Sequence, residues 1–156
     1  MNYQGSINAP STATVVPFFV ASAFSWLFSV LLIAVFGATL LETHYFNPIT
    51  LGITHLVVLG FVTNVIFGAL FQLLPVIFIR KIYSEVLGKI VFWFFLFGFL
   101  GIVIAFFIGI SGLWLTLSGS LVNIAVILFI INAWKTIGDS KEKFYKLVND
   151  NVAFAS

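Results

Sequence analysis

Two histidines, His44 and His55, are the side chains of this 156-residue chain best suited to bind a metal ion or exchange a proton near neutral pH. No cysteine accompanies them, which removes disulfides, zinc-thiolate sites, iron-sulfur clusters, covalently attached c-type haem and a cysteine nucleophile together. His55 stands inside an uncharged apolar run, where a polar side chain needs a partner, a cavity or a cofactor. Three kinds of chemistry suit it. Its ring could hydrogen-bond to a backbone carbonyl or a hydroxyl of a neighbouring helix. It could carry a proton, although no Asp or Glu within the apolar runs completes a relay. On an aromatic-rich apolar face, its neutral imidazole could also be an axial ligand to haem iron. His44 lies eleven positions earlier in a polar connection. From the same helix it cannot reach the opposite face of a haem held by His55. A two-histidine site therefore requires His55 from two copies of the chain, or His44 folded back over the helix ends; the remaining option is one protein ligand with an open sixth position.

The other polar residues of the apolar runs form two sets. Gly60, Asn64, Gly68 and Gln72 recur every four residues and make one slowly drifting stripe, in which small residues let helices approach and amides hydrogen-bond across the gap. At 100° per residue, His55 points roughly opposite Asn64, toward a face shared with Gly52, Leu59, Val62 and Ile66. The second set is Thr116, Ser118, Ser120 and Asn123, with Thr116, Ser120 and Asn123 on one face. Asn123 and Asn64 fall at similar depth, and an Asn64 to Asn123 hydrogen bond between helices is the expected link.

The elements that must position these residues are apolar throughout. Hydrophobic residues make up 62% of the chain and charged ones 8%, and the mean hydropathy is +1.19. A soluble core of this length cannot hide that much apolar surface. Crossing a hydrocarbon core of roughly 30 Å takes about 20 residues, and four runs qualify: 14–41, 51–79, 90–110 and 113–134. The fold class is thus all-α, an integral membrane four-helix bundle. Asn47 and Pro48 supply a turn and a helix start before the second span. Ser111 and Gly112 leave room only for a tight hairpin, so the last two spans are antiparallel neighbours.

Arg80, Lys81 and Lys89 flank the second-to-third connection, and Lys135, Lys141, Lys143 and Lys146 follow the fourth span, while the other two connections carry no Lys or Arg. This predicts N-in/C-in, with Glu42, His44 and Tyr45 on the outer side of what is expected to be a bacterial inner membrane. Residues 1–13 are polar without the basic region of a signal peptide. Residues 135–156 read as a cytoplasmic tail, either solvated or an amphipathic surface helix. Trp26, Trp93, Trp114 and Trp134 suit interfacial anchoring. A net charge of +2 with no basic stripe excludes nucleic acid as a partner.

The second run contains THLVVLGFVTNVIFGALFQLLPVIF. This string resembles a helix of the haem-copper oxidase catalytic subunit superfamily. In the cbb-type and nitric-oxide-reductase-like branches a His is followed by Leu-Gly, then Phe-Gly and Leu-Pro. It is similar also to short subunit I-like four-helix proteins with a T-H-L-x-x-L-G-F pattern and a Q-L-x-P-V ending. The resemblance covers about 25 residues strongly and the four-helix layout weakly. It implies a b-type haem ligated by His55, with Gly52, Leu59 and Gly60 around it and Gly60 and Gly68 giving room to the porphyrin or to a neighbouring helix. A full catalytic subunit is much longer and has more histidines, for two haems and copper, plus an active-site Tyr. Only one membrane-embedded His is present here, so dioxygen reduction at a haem-copper centre is not expected, and activity as an enzyme on its own is not either.

The expectation is a haem b protein of electron transfer or small-gas binding, nitric oxide for example, with haem shared by a homodimer and with other membrane subunits as further partners. The rival is a haem-free structural or assembly subunit of a larger membrane complex. In both, Asn64, Gly68, Gln72, Asn123 and His44 take supporting or packing positions. A small transporter ranks last, because the paired broken helices and intramembrane charges of such proteins are missing.

Overall fold

The computed structural model describes the backbone of residues 9–153 and the side chains of residues 9–138. The expectation for residues 1–13 therefore falls mainly outside the described residues, as does that for the amphipathic character of the tail. Four helices long and apolar enough to cross a membrane are present: α1 (Thr12–Glu42), α2 (Pro48–Ile77), α3 (Glu85–Ile108) and α4 (Leu113–Ala153).

Local chemistry sets their ends. The Asn47 side chain accepts from the Ile49 N–H at 2.8 Å and Pro48 occupies the first turn, which starts α2 three residues before the expected boundary. Ser84 caps α3 by accepting from Leu87 N–H at 3.1 Å. That helix begins at Glu85, so Glu85 and Lys89 belong to its first turns and not to the preceding loop. The α3–α4 hairpin turns through Gly109 and Gly112, both at φ 75°, where a side chain would be strained.

α2 and α3 form the central pair; α1 packs chiefly on α2, and α4 chiefly on α3. Phenylalanines fill the core: Phe67 stacks on Phe129 at 4.5 Å, and Phe18 meets the edge of Phe92 at 5.1 Å. α3 and α4 approach to backbone contact. A side-chain carbon at Gly98 would lie 2.8 Å from the Val122 nitrogen, and one at Gly101 would overlap the Ser118 hydroxyl. The Trp114 indole N–H donates to the Gly101 carbonyl at 3.1 Å.

The starts of α1 and α3 meet where the Ser11 N–H and hydroxyl both donate to the Glu85 carboxylate. The same end holds the α2–α3 loop with Arg80 and Lys81, and is called the basic end below. Asn132 and Thr136 of α4 clamp that loop. The Asn132 amide accepts from Ser84 N–H at 3.2 Å and donates to Ser84 C=O at 2.9 Å, and the Thr136 hydroxyl accepts from Tyr83 N–H at 3.0 Å.

Candidate functional site

His55 occupies the third of α2 nearest the end opposite the basic one. Its Nδ1 lies 2.7 Å from the Leu51 carbonyl, one turn back. A carbonyl only accepts, so Nδ1 carries the proton, and in the neutral ring Nε2 is left with a lone pair. The ring lies against Phe106 of α3, centroid to centroid 4.8 Å, and is half-buried. Further along α2, Val58, Val62 and Ile66 are exposed apolar residues.

Immediately after His55, residues Leu56–Thr63 wind as a π-helix, an uncommon geometry often associated with functional sites. Its wide turn is supported by side-chain donors from its far end. The Thr63 hydroxyl donates to Val58 C=O at 2.8 Å, and the Asn64 amide donates to Gly60 C=O at 2.8 Å and Leu59 C=O at 3.2 Å. Asn64 is fully buried, and its Oδ1 has no partner among the described residues.

The other expected site residues are dispersed. Gly52 faces α3, where a side-chain carbon would meet the Phe107 ring at 2.8 Å. Gly60 faces α1, with Ser25 Oγ 2.6 Å from the same hypothetical carbon, so the room beside both glycines is filled by this chain's own helices. Leu59 packs on the core. Gly68 lies against Phe18 and Phe19 of α1 and keeps its place in the packing stripe. Gln72 leaves that stripe and is exposed: four-residue steps advance about 40° each on an α-helix, so Phe71 and Pro75 take the inward positions.

The expected Asn64 to Asn123 bond does not form. Asn64 donates to its own helix, and Asn123 donates to Gly119 C=O at 3.0 Å on an exposed face. The inward face of α4 is Ser118, Ala125, Phe129 and Asn132. Thr116 and Ser120 likewise donate to the carbonyls four residues back. His44 is exposed in the α1–α2 loop, its ring 4.0 Å from that of Tyr45 and its Nδ1 accepting from Phe46 N–H at 3.3 Å. Among the described residues no three of His, Cys, Asp and Glu gather into a metal-binding group.

The Asn132 and Thr136 clamp was not anticipated. Its signal is an Asn and a Thr four residues apart at the end of the fourth run, masked by ending that span at Trp134. Comparison with family models, curated proteins and solved structures found no match to this chain.

Proposed function

We infer that this membrane protein binds a b-type haem through His55 Nε2 on α2, with a second copy of the chain supplying the opposite His55. The observation that supports this reading is the Nδ1–H bond to Leu51 C=O, which fixes the ring orientation and tautomer and leaves Nε2 as a donor atom at a half-exposed position. The chemistry of the site suits the group: a neutral imidazole, an apolar flank of Val58, Val62 and Ile66, and Phe106 against the ring. His55 is half-buried and stands at the surface of α2. The groove of about 950 Å³ between α1 and α3 is not lined by it, which is why the second face is assigned to another copy.

When bound, the haem would supply a one-electron centre or an iron site for a small gas. Leu51 holds the imidazole in register, Phe106 limits its rotation, and the valines and isoleucine of the flank exclude water. By the distribution of Lys and Arg, the basic end lies on the cytoplasmic side of a bacterial inner membrane and His55 toward the outer leaflet.

The Leu51 bond also satisfies His55 with no ligand at all, which favours the second reading, a haem-free subunit of a larger membrane complex. Reduced-minus-oxidised visible spectra of protein from haem-supplemented cells separate the two. Haem ligation predicts a Soret band with sharp α and β bands that His55→Ala and His55→Gln both abolish while the helical circular dichroism stays unchanged. Wild-type protein without haem would leave His55 as a packing residue.

A further inference from the structure

α1 and α3 run parallel, both starting at the basic end, and both rest on α2. They are closest at that end, where a side-chain carbon at Gly88 would lie 2.8 Å from the Thr14 methyl. Further along, a groove of about 950 Å³ opens between them, with Leu56 of α2 also lining it. Its walls extend from Ala13 to Leu32 on α1 and from Lys89 to Phe107 on α3. At a rise of about 1.5 Å per residue, the walls are about 27 to 29 Å long, close to the thickness of a bilayer's hydrocarbon core.

Charge is confined to one end of this groove. Lys89, exposed one turn into α3, is the only charged residue among those lining it, and Trp93 follows one turn later. The nearest acid on its own helix, Glu85, directs both carboxylate oxygens to Ser11 and attracts Lys89 only through space, without an ion pair among the described residues. The hydroxyl-bearing lining residues are Thr14, beside Lys89, and Ser25 at mid-depth; the rest of the wall is aliphatic and aromatic. An ammonium at headgroup level above a membrane-length apolar slot is complementary to an amphiphile with a negative head and an extended hydrocarbon tail.

We propose that the α1–α3 groove is a binding site for an anionic phospholipid, its phosphate at Lys89 and an acyl chain laid between Phe24, Phe28, Trp93 and Leu100. A zwitterionic phospholipid offers the same chains without the net charge, so the site is selective by headgroup. It does not involve His55 and holds with or without haem.

The test uses full-length protein with Trp26, Trp114 and Trp134 replaced by Phe, leaving Trp93 as the reporter. The protein is reconstituted in phosphatidylcholine vesicles carrying either brominated phosphatidylglycerol or brominated phosphatidylcholine. Brominated phosphatidylglycerol should quench Trp93 with about fivefold higher affinity, the attraction of one lysine for an anionic lipid. Lys89→Ala should bring the two lipids level, and Lys81→Ala, whose charge lies at the same end but outside the groove, should keep the preference. Three results would each overturn the proposal: equal quenching by both lipids in the parent protein, equal loss of preference in Lys81→Ala and Lys89→Ala, or Trp93 shielded from both lipids, as a helix seated in the groove would cause.

Discussion

The two sides of α3 are built in opposite ways. Toward α4, Gly98 and Gly101 admit Ser118 and Val122 to backbone distance, and Asn132 ties the neighbouring loop to the same helix. Toward α1, contact is close at Gly88 and Thr14, and then the helices part around an open groove. His55 lies on α2, half-buried, with its ring against Phe106 of α3. In lipid, where hydrophobic burial does not drive helices together, glycine-level contact and satisfied backbone groups provide the rigidity. A scaffold concentrated in one helix pair leaves the other faces less tightly held.

Breaking the tight side should have the largest effect. Gly98→Leu drives a side chain into the Val122 backbone and should cost about 3 kcal/mol or prevent folding, read as a lowered midpoint of denaturant unfolding in micelles. Asn132→Ala removes an amide that both donates to and accepts from Ser84; the Ser84 N–H then loses its partner in a half-buried place, while the Ser84 carbonyl keeps the Gly88 N–H. A loss of about 2 kcal/mol is expected, with faster hydrogen exchange at the Ser84 amide. In haem-free protein, His55→Ala should change the unfolding free energy by under about 1 kcal/mol, because the ring is half-buried and its bond is to its own helix. The smallest effect and the opposite sign belong to Gly119→Ala on the outside of α4. Nothing lies within 4 Å of the added carbon there, so better helix propensity should stabilise by up to about 1 kcal/mol. If Gly98→Leu and Gly119→Ala behaved alike, the close α3–α4 approach at Gly98 would not be what holds that pair together.

The four spans were legible because uncharged apolar runs of this length have one stable solution in lipid. Asn47 with Pro48 marked the start of α2 for the reasons its cap now displays. Other features depend on geometry that a linear reading lacks. The π-helix after His55 has no periodic signature of its own, and its supports, Thr63 and Asn64, read from sequence as ordinary polar positions. Gln72 was misassigned because the α-helical drift accumulates over successive four-residue steps. Depth alone pairs Asn123 with Asn64, but α4 meets α2 through Phe129, on the inward face, while Asn123 lies on an exposed face. The clamp escaped because the span was ended at Trp134, just as its Asn and Thr begin to serve the loop. His55 could be singled out from sequence as an isolated intramembrane His, but its protonated Nδ1 becomes visible only with the Leu51 carbonyl in place.

The most direct test of the central claim is the ratio of haem to polypeptide in purified protein, measured by pyridine haemochrome against amino-acid analysis, for the wild type and His55→Ala. One haem per two chains, reduced to none by the substitution, is the predicted result. Haem retained at the wild-type ratio in His55→Ala would contradict the assignment of Nε2 as the iron ligand.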